Sequence, residues 1–108
     1  MSNLTATEIL EIQKMIEKKT QDKGFVWNFT NATFKDFVES YTGLDIYSEK
    51  YKAEDGGSKI KRLKMFLKIE ENSYVIMLLE GIKEYGKKRK YLCKSNIDDI
   101  EKYIKKLK

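Results

Sequence analysis

Histidine and proline are both absent from this chain, and cysteine and tryptophan occur once each. Without histidine there is no general base of the commonest kind, no side chain that switches charge near neutral pH and no imidazole ligand for a metal. A zinc site would then need several thiolates, and Cys93 stands alone. Cys93 has no partner for a disulfide within the chain, which fits a reducing compartment. Flanked by Tyr91, Leu92 and Lys94, it is expected to pack as a small hydrophobe. Long apolar runs are missing too: the longest, residues 74–79, falls far short of the roughly 20 residues that cross a bilayer. Residues 1–8 lack the basic start and apolar stretch of a signal peptide. The expectation is a soluble, cytoplasmic protein with no membrane partner.

At 108 residues the chain has the size of one domain, residues 1–108, and no stretch resembles an interdomain linker. So small a core leaves little room for a deep substrate cavity, which favours work done at the surface. No catalytic residues, metal ligands, cofactor or small-molecule substrate are expected, and the chain is not expected to be an enzyme.

What is present is uneven charge. Residues 1–57 hold 7 Lys/Arg and 10 Asp/Glu, a net −3, whereas residues 58–108 hold 15 and 7, a net +8. Such asymmetry marks an acidic partner, nucleic acid or an anionic membrane surface, and lysine-rich solvated helices produce it as well.

Five helices follow from the apolar spacing. Thr5 and Glu8 make a capping box ahead of Ile9, Ile12 and Ile16, and Gly24 supplies a stop. Residues 25–29 are apolar and aromatic but too short for a helix, so they are expected to form a short extended connector. A second helix, capped by Thr30 or Asn31, carries Phe34, Phe37, Val38 and Tyr41 and ends at Gly43. Ser48 opens a helical turn through Tyr51. Ser58 caps a third helix, residues 59–69, with Ile60, Leu63 and Leu67 inward and Lys61, Lys64 and Lys68 on another face. Asn72 or Ser73 caps a fourth that runs to about Tyr85 or a turn beyond, with Val75, Leu78, Leu79 and Ile82 on its apolar side. Residues 95–108 make a basic fifth helix, begun by Ser95 and Asp98, with a stripe of Ile97, Ile100, Ile104 and Leu107. Short connections and no proline predict an all-α bundle of about five helices.

Two surfaces are candidates for binding. One is basic: Lys59, Lys61, Arg62, Lys64 and Lys68 together with Lys87, Lys88, Arg89, Lys90 and Lys94, which would follow phosphates if the two clusters converged. The other is apolar and aromatic: Trp27, Tyr47 and Tyr85, if they are exposed together. Trp27 and its neighbours are more often the lid of a small core than such a surface, because aromatics dominate core energetics. Weaker motifs fail on their own terms. Residues 34–52 resemble a helix-turn-helix only superficially, because Asp45 and Glu49 would face the DNA backbone. Gly56, Gly57, Ser58 and Lys59 lack the longer glycine-bounded loop of a phosphate-binding motif. The carboxylate pairs Glu70/Glu71 and Asp98/Asp99 are adjacent in sequence and do not face each other on a helix.

Residues 34–46, then Tyr51 and residues 57–67, together resemble a small helical module at the N-termini of bacterial abortive-infection and related phage-defence proteins. The resemblance covers roughly residues 25–85, and its most distinctive part is the Ser-Lys-x-Lys-Arg-Leu-x-x-Phe pattern of residues 58–66. It implies an accessory or sensing module attached to a variable effector. Only a basic tail helix follows here, so a fragment or a stand-alone protein is expected. The leading expectation is a non-catalytic interaction module that binds a protein partner or self-associates; the alternative is non-specific nucleic-acid binding through the basic C-terminal half.

Overall fold

The structure, a computed structural model, describes residues 1–17, 27–54 and 56–108. Among these residues it is an all-α bundle of five helices and one 3-10 turn: α1 (Ala6–Ile16), α2 (Asn31–Thr42), the turn Glu49–Tyr51, α3 (Lys59–Ile69), α4 (Asn72–Lys88) and α5 (Lys94–Leu107). No helix among them is long and apolar enough to cross a membrane.

The helix starts follow local chemistry, with two corrections. Thr5 Oγ1 accepts from the Glu8 N–H at 3.1 Å, and Glu8 Oε1 accepts from the Thr5 N–H at 2.8 Å, closing the expected capping box. Thr30, not Asn31, caps α2, with Thr33 answering as Glu usually does. Gly43 ends α2 at φ 77°, where a side chain would be strained. Ser58 caps α3. The cap of α4 is Glu71 rather than Asn72 or Ser73, because the Asn72 side chain instead accepts from the Asn3 N–H at 2.9 Å. Helix α5 begins at Lys94, earlier than the Ser95 start expected, with Cys93 as its cap. Burial of Leu92 against Gly86 and Trp27 fixes where the chain reverses and lets the helix resume at once. Of the expected connector, residues 25 and 26 lie outside the described residues, as does the stop at Gly24, and Trp27 and Asn28 form a turn.

Helix α4 lies between α2 and α5, while α1 packs on α3 and α5, and the 3-10 turn sits on α3. Apolar side chains from every element meet in one core that includes Ile12, Ile16, Phe34, Tyr51, Phe66, Leu78 and Ile100. Close approach is needed twice along α4: a Cβ at Gly81 would stand 2.7 Å from the Tyr41 ring, and one at Gly86 would stand 2.5 Å from Leu92.

Candidate functional site

The aromatic candidates do not form an exposed surface. Trp27 is only 8% exposed; its ring stacks on Tyr85 with centroids 5.6 Å apart, and its Nε1 donates to the Met15 carbonyl at 3.3 Å. Tyr85 is half-buried, packs against Phe29 and Phe37, and donates its hydroxyl to Asn28 Oδ1 at 3.0 Å. Tyr47 is also half-buried, donating to Asn31 Oδ1 at 3.0 Å beneath the Arg62 guanidinium. Burial pushes the Tyr47 hydroxyl up, against the opposing pull of Arg62. The three rings are inward because a large ring with one polar atom is satisfied by a core edge and one hydrogen bond. Among the described residues, the large apolar side chains most exposed to solvent are Met1, Leu10, Met77 and Tyr91.

The basic candidates divide into two surfaces. Lys59 is buried, and burial pushes its ammonium below the ordinary lysine value. Arg62 donates to the carbonyls of Gly57 at 3.1 Å and of Ile46 and Ser48 at 3.2 Å, so it staples the loop before α3 onto that helix. Lys61 and Lys64 are half-buried and Lys68 is exposed, all three lining the groove between α1 and α3. Lys87, Lys88, Arg89, Lys90 and Lys94 are exposed around the α4–α5 turn, and none of them lines that groove. Lys87 and Lys88 occupy the last turn of α4, where the helix dipole favours cations without any partner. Next to this cluster in sequence, Tyr91 lines a cleft with Glu11, Glu17 and Asp99 and with Lys14, where, among the described residues, three carboxylates against one ammonium disfavour phosphate.

Cys93 is exposed rather than packed, since it caps α5 at the surface. Its Sγ lies 3.2 Å from Ser95 Oγ and 3.0 Å from Asn96 Oδ1. Hydrogen bonds from Ser95 and from the backbone of the first helical turn hold the thiol below its ordinary value.

The α1–α3 groove encloses about 500 Å³. Leu4 and Ile9 form its buried floor, and Leu10, at 45% exposure, Ala6, Ala53 and Met65 form its sides. Met1 stands at the lip, 80% exposed. The chain before α1 is strapped across the end of α3: the Ser2 hydroxyl and N–H donate to the carbonyls of Leu67 and Lys68. Those bonds answer two of the C-terminal carbonyls that a helix leaves unpaired. Among the described residues, no carboxylate lines the groove. Among the described residues, no carboxylate lies within ion-pair distance of Lys64 or Lys68, whereas Lys35, Lys83 and Lys106 have Glu39, Glu80 and Glu8. Sequence reasoning found the lysines and missed Leu10, Met65 and Met1. Leu10 had a signal: it is apolar yet lies off the Ile9, Ile12 and Ile16 stripe, so the core does not account for it.

Comparison of the chain with protein-family models, with curated proteins and with solved structures finds no match.

Proposed function

We propose that this chain is a non-catalytic interaction module that binds another protein through the groove between α1 and α3. One observation carries the reading: an apolar trough holding the exposed Leu10 and Met1 has a lysine rim and, among the described residues, no carboxylate lining it. Exposed apolar side chains gathered in a trough are what a partner buries, while single ones scattered elsewhere need no explanation. Nucleic-acid binding is favoured less. Lys59 and Arg62 are engaged inside the fold, and the second basic cluster does not line the groove that Lys61, Lys64 and Lys68 edge. The likeness of residues 25–85 to defence-protein modules agrees with a sensing or accessory role in a bacterial cytoplasm, with the partner as the thing sensed.

Site-specific photo-crosslinking in the cell of origin tests this. A photoreactive amino acid at Leu10 is expected to yield one discrete protein adduct, and the same residue at Met77, exposed on α4, none. A nucleic-acid adduct from Tyr91, with nothing from Leu10, would reverse the assignment.

A further inference from the structure

Folding accounts for some of the cations at the α4–α5 turn and not for others. Lys87 and Lys88 sit at the C-terminal end of α4, where the helix dipole favours them. The Arg89 guanidinium lies over the Tyr85 ring, 4.6 Å from its centroid. Lys90 and Lys94 are placed against the local rules. Lys90 holds φ at 60°, where glycine would fit without strain. Lys94 is the first residue of α5, at the positive end of that helix's dipole, and no acid in the first turn offsets it. All five cations are exposed, and among the described residues none has a carboxylate within ion-pair distance, in contrast to Lys35, Lys83 and Lys106. Between them Tyr91 is 42% exposed. Folding alone would set glycine at 90 and an uncharged or acidic residue at 94, so the charge kept there answers to something outside the fold.

We propose that this turn rests on an anionic lipid surface, a contact separate from the groove and independent of its assignment. The lack of a spanning helix bears on crossing a bilayer and not on lying against one. Placement favours lipid over other polyanions. The five cations and Tyr91 gather within eight residues where the chain reverses between two packed helices, and none of the cations lines the groove or the cleft. A nucleic-acid strand is held by cations drawn out along its phosphates, and the lysines of α3, which edge the groove, do not continue this cluster. A bilayer offers negative charge at every point of a plane, so one basic tip suffices to engage it. Tyr91 joins an apolar ring to a polar hydroxyl, the combination that suits the headgroup level. Asp98 and Asp99 follow in α5, which leaves residues 87–99 with five cations against two carboxylates, a net +3. Carboxylates of the cleft that Tyr91 also lines oppose the contact, and so favour a tilt that holds the cleft off the lipid.

Co-sedimentation of the 108-residue chain with vesicles of phosphatidylcholine alone, or of phosphatidylcholine and phosphatidylglycerol in equal parts, tests this across a salt series. Binding is expected to the mixed vesicles only, and to weaken as salt screens it. Each cation near an anionic surface contributes about fivefold in partitioning, so Lys90→Gly/Lys94→Gln should reduce binding about 25-fold. Lys64→Gln/Lys68→Gln removes the same charge from α3 and should change binding little. Circular dichroism melts confirm that both variants fold. No binding to mixed vesicles at low salt, or equal binding to neutral ones, would overturn the proposal. Equal losses in the two variants would overturn it as well, because net charge alone would then account for the binding. Labelled oligonucleotides that bind with a steep salt dependence and are released by Lys90→Gly/Lys94→Gln, with the vesicles left unbound, would give the turn to nucleic acid instead.

Discussion

Glu70 is buried under the 3-10 turn, accepting from the Tyr51 hydroxyl and from Lys50 Nζ, each at 2.6 Å. Burial by itself would raise this carboxyl, but the hydrogen bonds from Lys50 and Tyr51 outweigh it and hold Glu70 below its ordinary value of 4.5. A folded value below the unfolded one means that stability from this carboxylate is present above about pH 4.5 and is lost as pH falls through the folded value. Thermal melts should therefore lose stability on acidification below that point. Glu70→Gln, which keeps the shape and weakens both bonds, should cost about 1–3 kcal/mol at neutral pH and flatten the acid limb. An unchanged acid limb in the variant would assign the loss to other groups. Glu8 adds to the same limb, because hydrogen bonds from Lys106 and Thr5 overcome burial to lower it as well.

At the scale of the element, α4 is governed by its glycines and its last turn. Helix propensity alone would favour Gly→Ala by about 1 kcal/mol. At Gly81 and Gly86, however, the new methyl collides with neighbours, and overpacking of this kind costs about 1–3 kcal/mol, so the collision wins. The half-buried Tyr41 ring can turn aside, whereas Leu92 and Trp27 are held in the core. Gly86→Ala should thus destabilise more than Gly81→Ala in denaturant titrations, and the reverse order would mean that the α4–α5 turn yields more readily than α2. Beyond Lys88 the chain ends the helix with Lys90 at φ 60°, the Tyr91 N–H bonding to the Gly86 carbonyl and the Lys90 N–H to that of Lys87. This is a Schellman termination with lysine where glycine is usual. Relief of the left-handed strain, less the extra unfolded-state entropy of glycine, should make Lys90→Gly more stable by between about 0.5 and 1 kcal/mol. A melting temperature that fell in Lys90→Gly would show the lysine side chain to hold this turn.

Taken whole, the molecule spreads its excess positive charge over surfaces with different neighbours. The α3 lysines edge an apolar groove, and the cations of the α4–α5 turn lie outside it, before and after the exposed Tyr91. A track of phosphates gains affinity from many cations acting together, so the divided surface should bind DNA or RNA weakly and with a shallow salt dependence, fewer than about four phosphates being neutralised. Fluorescence anisotropy with labelled single- and double-stranded oligonucleotides across a salt series checks this. A steep dependence that disappears in Lys87→Glu/Lys88→Glu would instead show the turn acting as a nucleic-acid site. The Ser-Lys-x-Lys-Arg-Leu-x-x-Phe pattern is largely explained at this scale by folding. Ser58 caps, Arg62 staples, and Lys59, Leu63 and Phe66 are buried, leaving only Lys61 of its named residues on the groove.

Helix number, apolar faces, the Thr5 box, the Gly43 stop and the Ser58 cap were legible in the sequence because they depend on spacing within a few residues. The lysines at 61, 64 and 68 were legible for the same reason. Tertiary structure decided what those short-range signals leave open. Asn72 gave up its capping role to bind Asn3, a partner 69 residues away. Trp27, Tyr47 and Tyr85 turned inward because the neighbours that bury them lie on other elements, and Lys59 and Arg62 were taken out of the basic surface by burial and by a distant loop. Leu10, an unremarkable apolar residue in one dimension, became half of a groove only when α3 was laid against α1. Local periodicity records which side of a helix is apolar, whereas the partner of that side is a property of the packing.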